Sequence, residues 1–166
     1  MPVMRKAQAM KEMPIVSFSN GEIIAKVTDM LINPQSRSVS ALLSTEGGLL
    51  SRTTKVIPAT EIQVWGEDVV IVTGPDIFIN KEELPCHEQC LSLVNQIKGR
   101  EVVGQDGTRI GTLSDVLIDD EGRLVGYDLG KVDIEGPVAK SKRIGVEATY
   151  ALGPDVLVVD ESKLPA

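Results

Sequence analysis

The residues best suited to chemistry lie in one short stretch, Asn80–Gly99, which reads NKEELPCHEQCLSLVNQIKG. It holds both cysteines and the single histidine of the chain, as Cys86, His87 and Cys90. Thiolate and imidazole groups bind zinc, but a structural zinc site has four ligands. This trio therefore needs a carboxylate or a second chain to complete a metal site. Two thiols four residues apart could also act as a redox switch.

A packing role explains the same stretch more simply. If Pro85 begins a helix, an apolar stripe at helical spacing follows, made of Cys86, Cys90, Leu93, Val94 and Ile97. Both thiols would then pack as small apolar groups, and a disulfide between them would be awkward because their Cβ atoms point the same way. We predict a short helical linker without a metal or cofactor. A metal- or redox-responsive regulator that uses Cys86, His87 and Cys90 is the alternative.

Two aspartates, Asp29 and Asp115, stand at equivalent places in a repeated stretch. They could be metal ligands or general acids, or they could bind nearby backbone amides, as Asx side chains often do. No histidine, lysine or second carboxylate recurs beside both, so we favour the hydrogen-bonding interpretation. The chain also lacks a phosphate-binding G-x-x-x-x-G-K-[ST] and a nucleophile G-x-S-x-G. We predict a protein that is not an enzyme.

The repeat pairs TDMLIN (Thr28–Asn33) with SDVLID (Ser114–Asp119), 86 residues apart. With one inserted residue it continues to WGEDVVIV (Trp65–Val72) and LGPDVLVV (Leu152–Val159). Each copy contains five or six short strand patterns separated by tight turns, which favours a small closed sheet. We predict a mainly all-β protein with barrels at 14–79 and 97–164, joined by the helical linker at 80–96.

Composition limits the function. Only 3% of the residues are aromatic, so the core must consist of aliphatic side chains. The net charge of −7 argues against direct nucleic-acid binding and favours a basic protein partner. No apolar run approaches the roughly 20 residues of a transmembrane helix. The first residues, MPVMRKAQAMKEM, lack the apolar core of a secretory signal, so we predict a cytoplasmic location.

The repeated stretches resemble the PRC-barrel domain, found in the cytoplasmic part of the H subunit of purple-bacterial photosynthetic reaction centres and in the C-terminal half of the ribosome maturation factor RimM. The resemblance rests on these ranges: Gly107–Asp119 and Gly122–Gly126 in the second copy, and Gly21–Asn33 and Val56–Ile62 in the first. It implies two PRC-type barrels in tandem. It also implies an adaptor or assembly role, because the known members dock on other macromolecules.

The candidate docking residues are Leu49 and Leu50, in the stretch Glu46–Lys55 (EGGLLSRTTK). They are either part of an ordinary hairpin loop or exposed anchors for a partner. The loop Val132–Arg143 is a second candidate. The partner would be another protein or a second copy of this chain, and the N-terminal segment before Pro14 would be a partly ordered tail.

Overall fold

The computed structural model describes residues 4–165. These residues form fifteen short strands: β1 Arg5–Lys6, β2 Pro14–Ser17, β3 Ile23–Lys26, β4 Asp29–Asn33, β5 Ser38–Gly47, β6 Arg52–Pro58, β7 Ile62–Trp65, β8 Val70–Val72, β9 Leu91–Ser92, β10 Glu101–Gly104, β11 Arg109–Ile118, β12 Leu124–Val132, β13 Arg143–Gly145, β14 Thr149–Leu152 and β15 Val156–Val159. The helical elements are α1 Pro137–Ser141, a π-helical turn at Leu93–Ile97, and 3₁₀ turns at Ala7–Met10, Ala59–Glu61, Lys81–Glu83, Val146–Ala148 and Glu161–Lys163. None of the helices within 4–165 is long and apolar enough to cross a bilayer.

The strands follow in the same order in both halves, except that β3 and β4 of the first half correspond to the single strand β11 of the second. The mainly β prediction is confirmed. In the first barrel, strands are ordered β3-β2-β8-β7 in one sheet and β6-β5-β4 in another; in the second barrel one sheet runs β13-β12-β11-β10-β15-β14. A parallel pair lies at the centre of each barrel, β2 with β8 and β10 with β15. The repeat in the sequence is therefore a repeat in the topology.

One repeat position differs between the barrels close to where the first barrel divides into two sheets. Gly111 lets β12 run close to β11, because a Cβ atom at this position would lie 2.0 Å from the carbonyl oxygen of Lys131. The first copy has Ala25 at the equivalent position, so its backbone cannot approach as closely. There the long strand is interrupted at Val27–Thr28, and β5 leaves the barrel as one arm of a hairpin with β6.

The core is aliphatic, as the composition predicts. Representative fully buried side chains are Ile15, Ile32, Leu42 and Ile57 in the first barrel, and Val102, Ile118, Leu157 and Val159 in the second. These residues belong to one apolar cluster that continues through both barrels. The two halves therefore share a core instead of folding around separate ones.

Each barrel is extended by a short strand from the segment that precedes the other barrel in the sequence. β1, which precedes the first barrel, pairs with the far end of β11, and β9, which precedes the second barrel, pairs with β4. The expectation of a partly ordered N-terminal tail is wrong for residues 4–13, because Ala7 and Met10 are buried in the core; residues 1–3 lie outside the described chain. The exchanged strands bind backbone groups that would otherwise be a free sheet edge.

The linker is not the continuous helix that Pro85 was expected to begin. A 3₁₀ turn at Lys81–Glu83 is followed by turns, by β9, and by the π-helical turn. Leu91 and Ser92 must be extended to pair with β4, and this pairing prevents one helix from running through the stretch. The predicted burial of Cys86 and Cys90 is nevertheless confirmed.

Candidate docking surfaces

Asp29 holds the segment that leads into the second barrel. Its Oδ1 accepts hydrogen bonds from the amides of Met30 at 2.7 Å and Val94 at 3.1 Å. Its Oδ2 accepts a hydrogen bond from the hydroxyl of Ser92. The carboxylate therefore joins the start of β4 to the π-helical turn, and the hydrogen-bonding interpretation of this residue is confirmed.

Asp115 has the same role for the segment that leads into the first barrel. Its carboxylate accepts hydrogen bonds from the amide of Val116 at 2.8 Å and from the amide of Gln8 at 3.2 Å. Burial raises the pKa of Asp115, and the bonds from Val116 and Gln8 oppose that shift. Sequence reasoning missed that both aspartates bind the opposite half. The repeat contained a signal for this exchange, since Gln8 and Val94, whose amides bind the two aspartates, stand at equivalent repeat positions just as Asp29 and Asp115 do.

The turns that precede β5 and β12 meet where the two barrels touch. The amide of Val39 donates to the carbonyl of Gly122, and the amide of Leu124 donates to the carbonyl of Arg37, each at 2.8 Å. Trp65 packs over the same turn, because a Cβ atom on Gly122 would lie 2.5 Å from its ring. The turn therefore needs glycine both for this contact and for its positive φ of 77°.

Arg5 closes the same end of the junction. Its guanidinium donates to the carbonyl oxygens of Trp65 at 2.6 Å and Gly66 at 2.5 Å. Burial lowers the pKa of Arg5, and the carboxylates of Glu67 and Asp120 act in the opposite direction. The arginine thus connects β1 to the end of β7 while β1 itself pairs with the second barrel.

Cys86 and Cys90 form a disulfide with a Cα–Cα distance of 5.4 Å. The expectation that such a bond would be awkward is wrong, because it assumed a helix and the chain turns here instead. Both residues are buried in a small apolar cluster with Leu31 and Leu84. The bond fixes the loop immediately before β9.

His87 lies between the two cysteines without a metal-binding arrangement around it. Its Nδ1 is 3.0 Å from the carbonyl oxygen of Leu84, and its Nε2 is 3.8 Å from a carboxylate oxygen of Glu88. Within residues 4–165, no group of three histidine, cysteine or carboxylate side chains is placed to hold a metal ion. The structure therefore does not favour the alternative of a metal-responsive regulator, and redox regulation through Cys86 and Cys90 stays an untested part of that alternative.

Leu49 and Leu50 lie at the tip of the β5–β6 hairpin, and both side chains are fully exposed. The strands stay paired up to Gly47 and Arg52, so the stem presents the tip away from the barrel. Gly47 has a φ of 123°, and a Cβ atom there would lie 2.1 Å from the carbonyl oxygen of Ser51. The tight loop at the tip thus depends on glycine.

The corresponding connection in the second barrel is built differently. Between β12 and β13 the chain forms α1, whose Val138 is buried against the core. This loop, Val132–Arg143, covers its barrel, whereas the β5–β6 hairpin buries no tip residue. The two copies have therefore diverged most clearly at this connection.

Comparison with known proteins divides the chain into the same two halves. The family model described as PRC-barrel domain matches residues 2–77 and again residues 91–164. An uncharacterised protein of Clostridium acetobutylicum is 31% identical over 78 residues, which are 45% of this chain and 90% of that protein. That relative is thus little longer than one copy of the repeat. The two matches cover most of the chain, which therefore belongs to the PRC-barrel family and carries two of its domains in tandem.

Proposed function

We propose that this protein is a non-enzymatic adaptor that docks on another protein through Leu49 and Leu50. PRC-barrel domains are found in adaptor and assembly proteins, which supports the general role. The observation that carries the specific site is the full exposure of two adjacent leucines at the end of a paired stem. Residues that serve only the fold would be expected to pack against it, as Val138 does in the second copy.

The energetics of the tip suit a docking contact. Complete burial of a leucine side chain contributes roughly 1.5–3 kcal/mol. Two leucines on one loop therefore offer about 3–6 kcal/mol to a partner that has an apolar pocket, before ordering costs are subtracted. The stem limits those costs because the strands are already paired, and the threonines Thr45 and Thr54 are 3.0 Å apart through their hydroxyls.

The net charge narrows the class of partner. At −7, the chain attracts a protein with a basic surface over long distances. Arg52 is exposed at the base of the tip and Glu46 lies on the opposite strand, so the tip itself is close to neutral. We expect the general charge to speed encounter and the leucines to provide the specific contact.

The test compares two matched double variants of the full chain. Leu49→Ser/Leu50→Ser removes the tip, and Phe18→Ser/Ile23→Ser removes two other exposed apolar side chains, which are 69% and 66% exposed. A partner captured with the wild type is purified, and its affinity for each variant is measured directly. We expect a loss of about 100-fold or more for the tip variant and little change for the control.

The result that contradicts the proposal is equal loss, or equal retention, of affinity in the two double variants. The free energy of unfolding of both variants should equal that of the wild type within about 0.5 kcal/mol, because surface substitutions rarely change stability by more than this. Sedimentation of the wild type and the tip variant identifies the case in which the partner is a second copy of the chain.

A further inference from the structure

The junction between the barrels has two ends that are related by the repeat. At one end, which we name the Trp65 end, the ring of Trp65 lies over Gly122, and Arg5 binds the main chain beside it. The residues at the same repeat positions of the other end are Leu152, Ser36 and Leu91. The two largest side chains of the Trp65 end, Trp65 and Arg5, are therefore replaced at the other end by the smaller Leu152 and Leu91.

A groove of about 610 Å³ lies at the end with the smaller side chains. We name it the Leu152 groove, and its main lining residues are Pro34, Gln35, Leu91, Tyr150, Leu152 and Pro154. Its volume is within the range of roughly 300–1,000 Å³ that is usual for ligand pockets. Tyr150 is 53% exposed, so one wall of the groove offers an aromatic ring with access to solvent.

The charges differ between the two ends. At the Trp65 end, Glu67 and Asp120 are close enough to Arg5 to act on its charge. At the Leu152 groove, prolines Pro154 and Pro34 stand at those two positions. The groove therefore lacks the pair of carboxylates that would favour a guanidinium.

The remaining charged groups leave the groove close to neutral. Arg37 and Glu88 line it with one charge of each sign, and Arg37 already donates to the carbonyl of Thr149 at 3.1 Å. The carbonyl of Gly153, which corresponds to the acceptor of Arg5 at the other end, already accepts a hydrogen bond from Arg100. An uncharged occupant consequently fits the groove better than a cation.

We propose that the Leu152 groove binds an uncharged aromatic side chain, preferably an indole, presented by a short segment of a protein partner. The other end of the junction indicates this choice: there the ring of Trp65 lies over Gly122, whereas its smaller counterpart Leu152 lines an open groove. The groove has room for such a ring together with the backbone that carries it. This site is separate from the hairpin tip and does not depend on it.

The test uses N-acetyl-tryptophanamide as a probe and the amide resonances of the labelled full chain as the readout. Saturable shifts are expected at Leu91, Tyr150 and Leu152, with clearly weaker binding of N-acetyl-leucinamide. Leu152→Trp should fill the groove from within and weaken probe binding by about tenfold or more. Tyr150→Ala should also weaken binding, whereas Gln63→Ala, at the position that corresponds to Tyr150 beside Trp65, should leave binding unchanged.

Two outcomes overturn the proposal. One is a set of shifts that do not saturate or that lie away from the groove. The other is wild-type affinity in a folded Leu152→Trp variant. If that variant does not fold, equal affinity of Tyr150→Ala and Gln63→Ala decides against the groove. The Leu49→Ser/Leu50→Ser variant should bind the probe normally, so failure at the groove and failure at the tip are distinguishable.

Discussion

The Asp29→Ala substitution tests how much the exchange of leading segments stabilises the protein. It removes the acceptor for the hydroxyl of Ser92 and the amide of Val94, both of which lie across the junction, and for the amide of Met30 within β4. A hydrogen bond to a charged group contributes roughly 1.5–3 kcal/mol, and an unsatisfied buried donor costs about 1–3 kcal/mol. Because Val94 is only half-buried, we expect the free energy of unfolding to fall by about 2–4 kcal/mol.

Asp115→Ala is the matched comparison in the other half. Only the amide of Gln8 crosses the junction to this carboxylate, and its burial, which raises the pKa of Asp115, disfavours the ionised form in the folded protein. We therefore expect a smaller loss, about 1–2 kcal/mol. Asp68→Ala changes an exposed aspartate and serves as the control, with an effect within about 0.5 kcal/mol.

Urea unfolding followed by fluorescence measures these differences, since Trp65 is the only tryptophan and lies at the junction. Coincident fluorescence and circular-dichroism transitions are needed for a two-state interpretation. The reasoning is refuted if Asp29→Ala unfolds at the same midpoint as Asp68→Ala. A larger loss for Asp115→Ala than for Asp29→Ala would refute the account of which bonds cross the junction.

Three further predictions follow from the same geometry. Burial raises the pKa of Asp115, so the folded state takes up a proton at a higher pH than the unfolded state does. The wild type should therefore gain stability relative to Asp115→Asn as the pH falls from neutral through that raised pKa towards about pH 4. If urea unfolding gives the same difference in stability between the two proteins at every pH, the prediction is wrong. Gly122→Ala should push the Trp65 ring outward, because the new Cβ would lie 2.5 Å from it, and give a red-shifted emission with a loss of about 1–3 kcal/mol; an unchanged spectrum would contradict the contact. Reduction of the Cys86–Cys90 disulfide, which spans a sequence separation of 4, should cost about 2 kcal/mol in unfolding experiments. An unchanged midpoint would show that the bond does not stabilise the loop.

The disulfide also bears on where the protein works. Disulfides are uncommon in the reducing cytoplasm, which is the location predicted from the sequence. Alkylation of thiols in intact cells, followed by mass measurement of the chain, reports the oxidation state of Cys86 and Cys90 there. The cytoplasmic prediction and the presence of this bond can thus be examined together.

The linker shows why the local pattern misled. Cysteines and aliphatic residues at helical spacing predict a helix, and most of those side chains are indeed buried. Burial at that spacing arises here from a turn, a two-residue strand and a π-helical turn in succession. Periodicity records which side chains are buried, whereas the backbone conformation depends on the partner, and Leu91–Ser92 pairs with β4 some sixty residues away.

By itself, the sequence determined the duplication and the aliphatic core, because these follow from residue types repeated at fixed spacing, and the resemblance of the repeated stretches to PRC-barrel domains indicated the family. It also placed Leu49 and Leu50 beside glycines that permit a tight tip. Only the tertiary structure decided that the halves exchange their leading strands, that one end of the junction is filled by Trp65, and that the other has a groove. The physical reason is that strand pairing and the filling of a cavity depend on contacts between residues far apart in the sequence. The spacing of nearby residues does not specify those contacts.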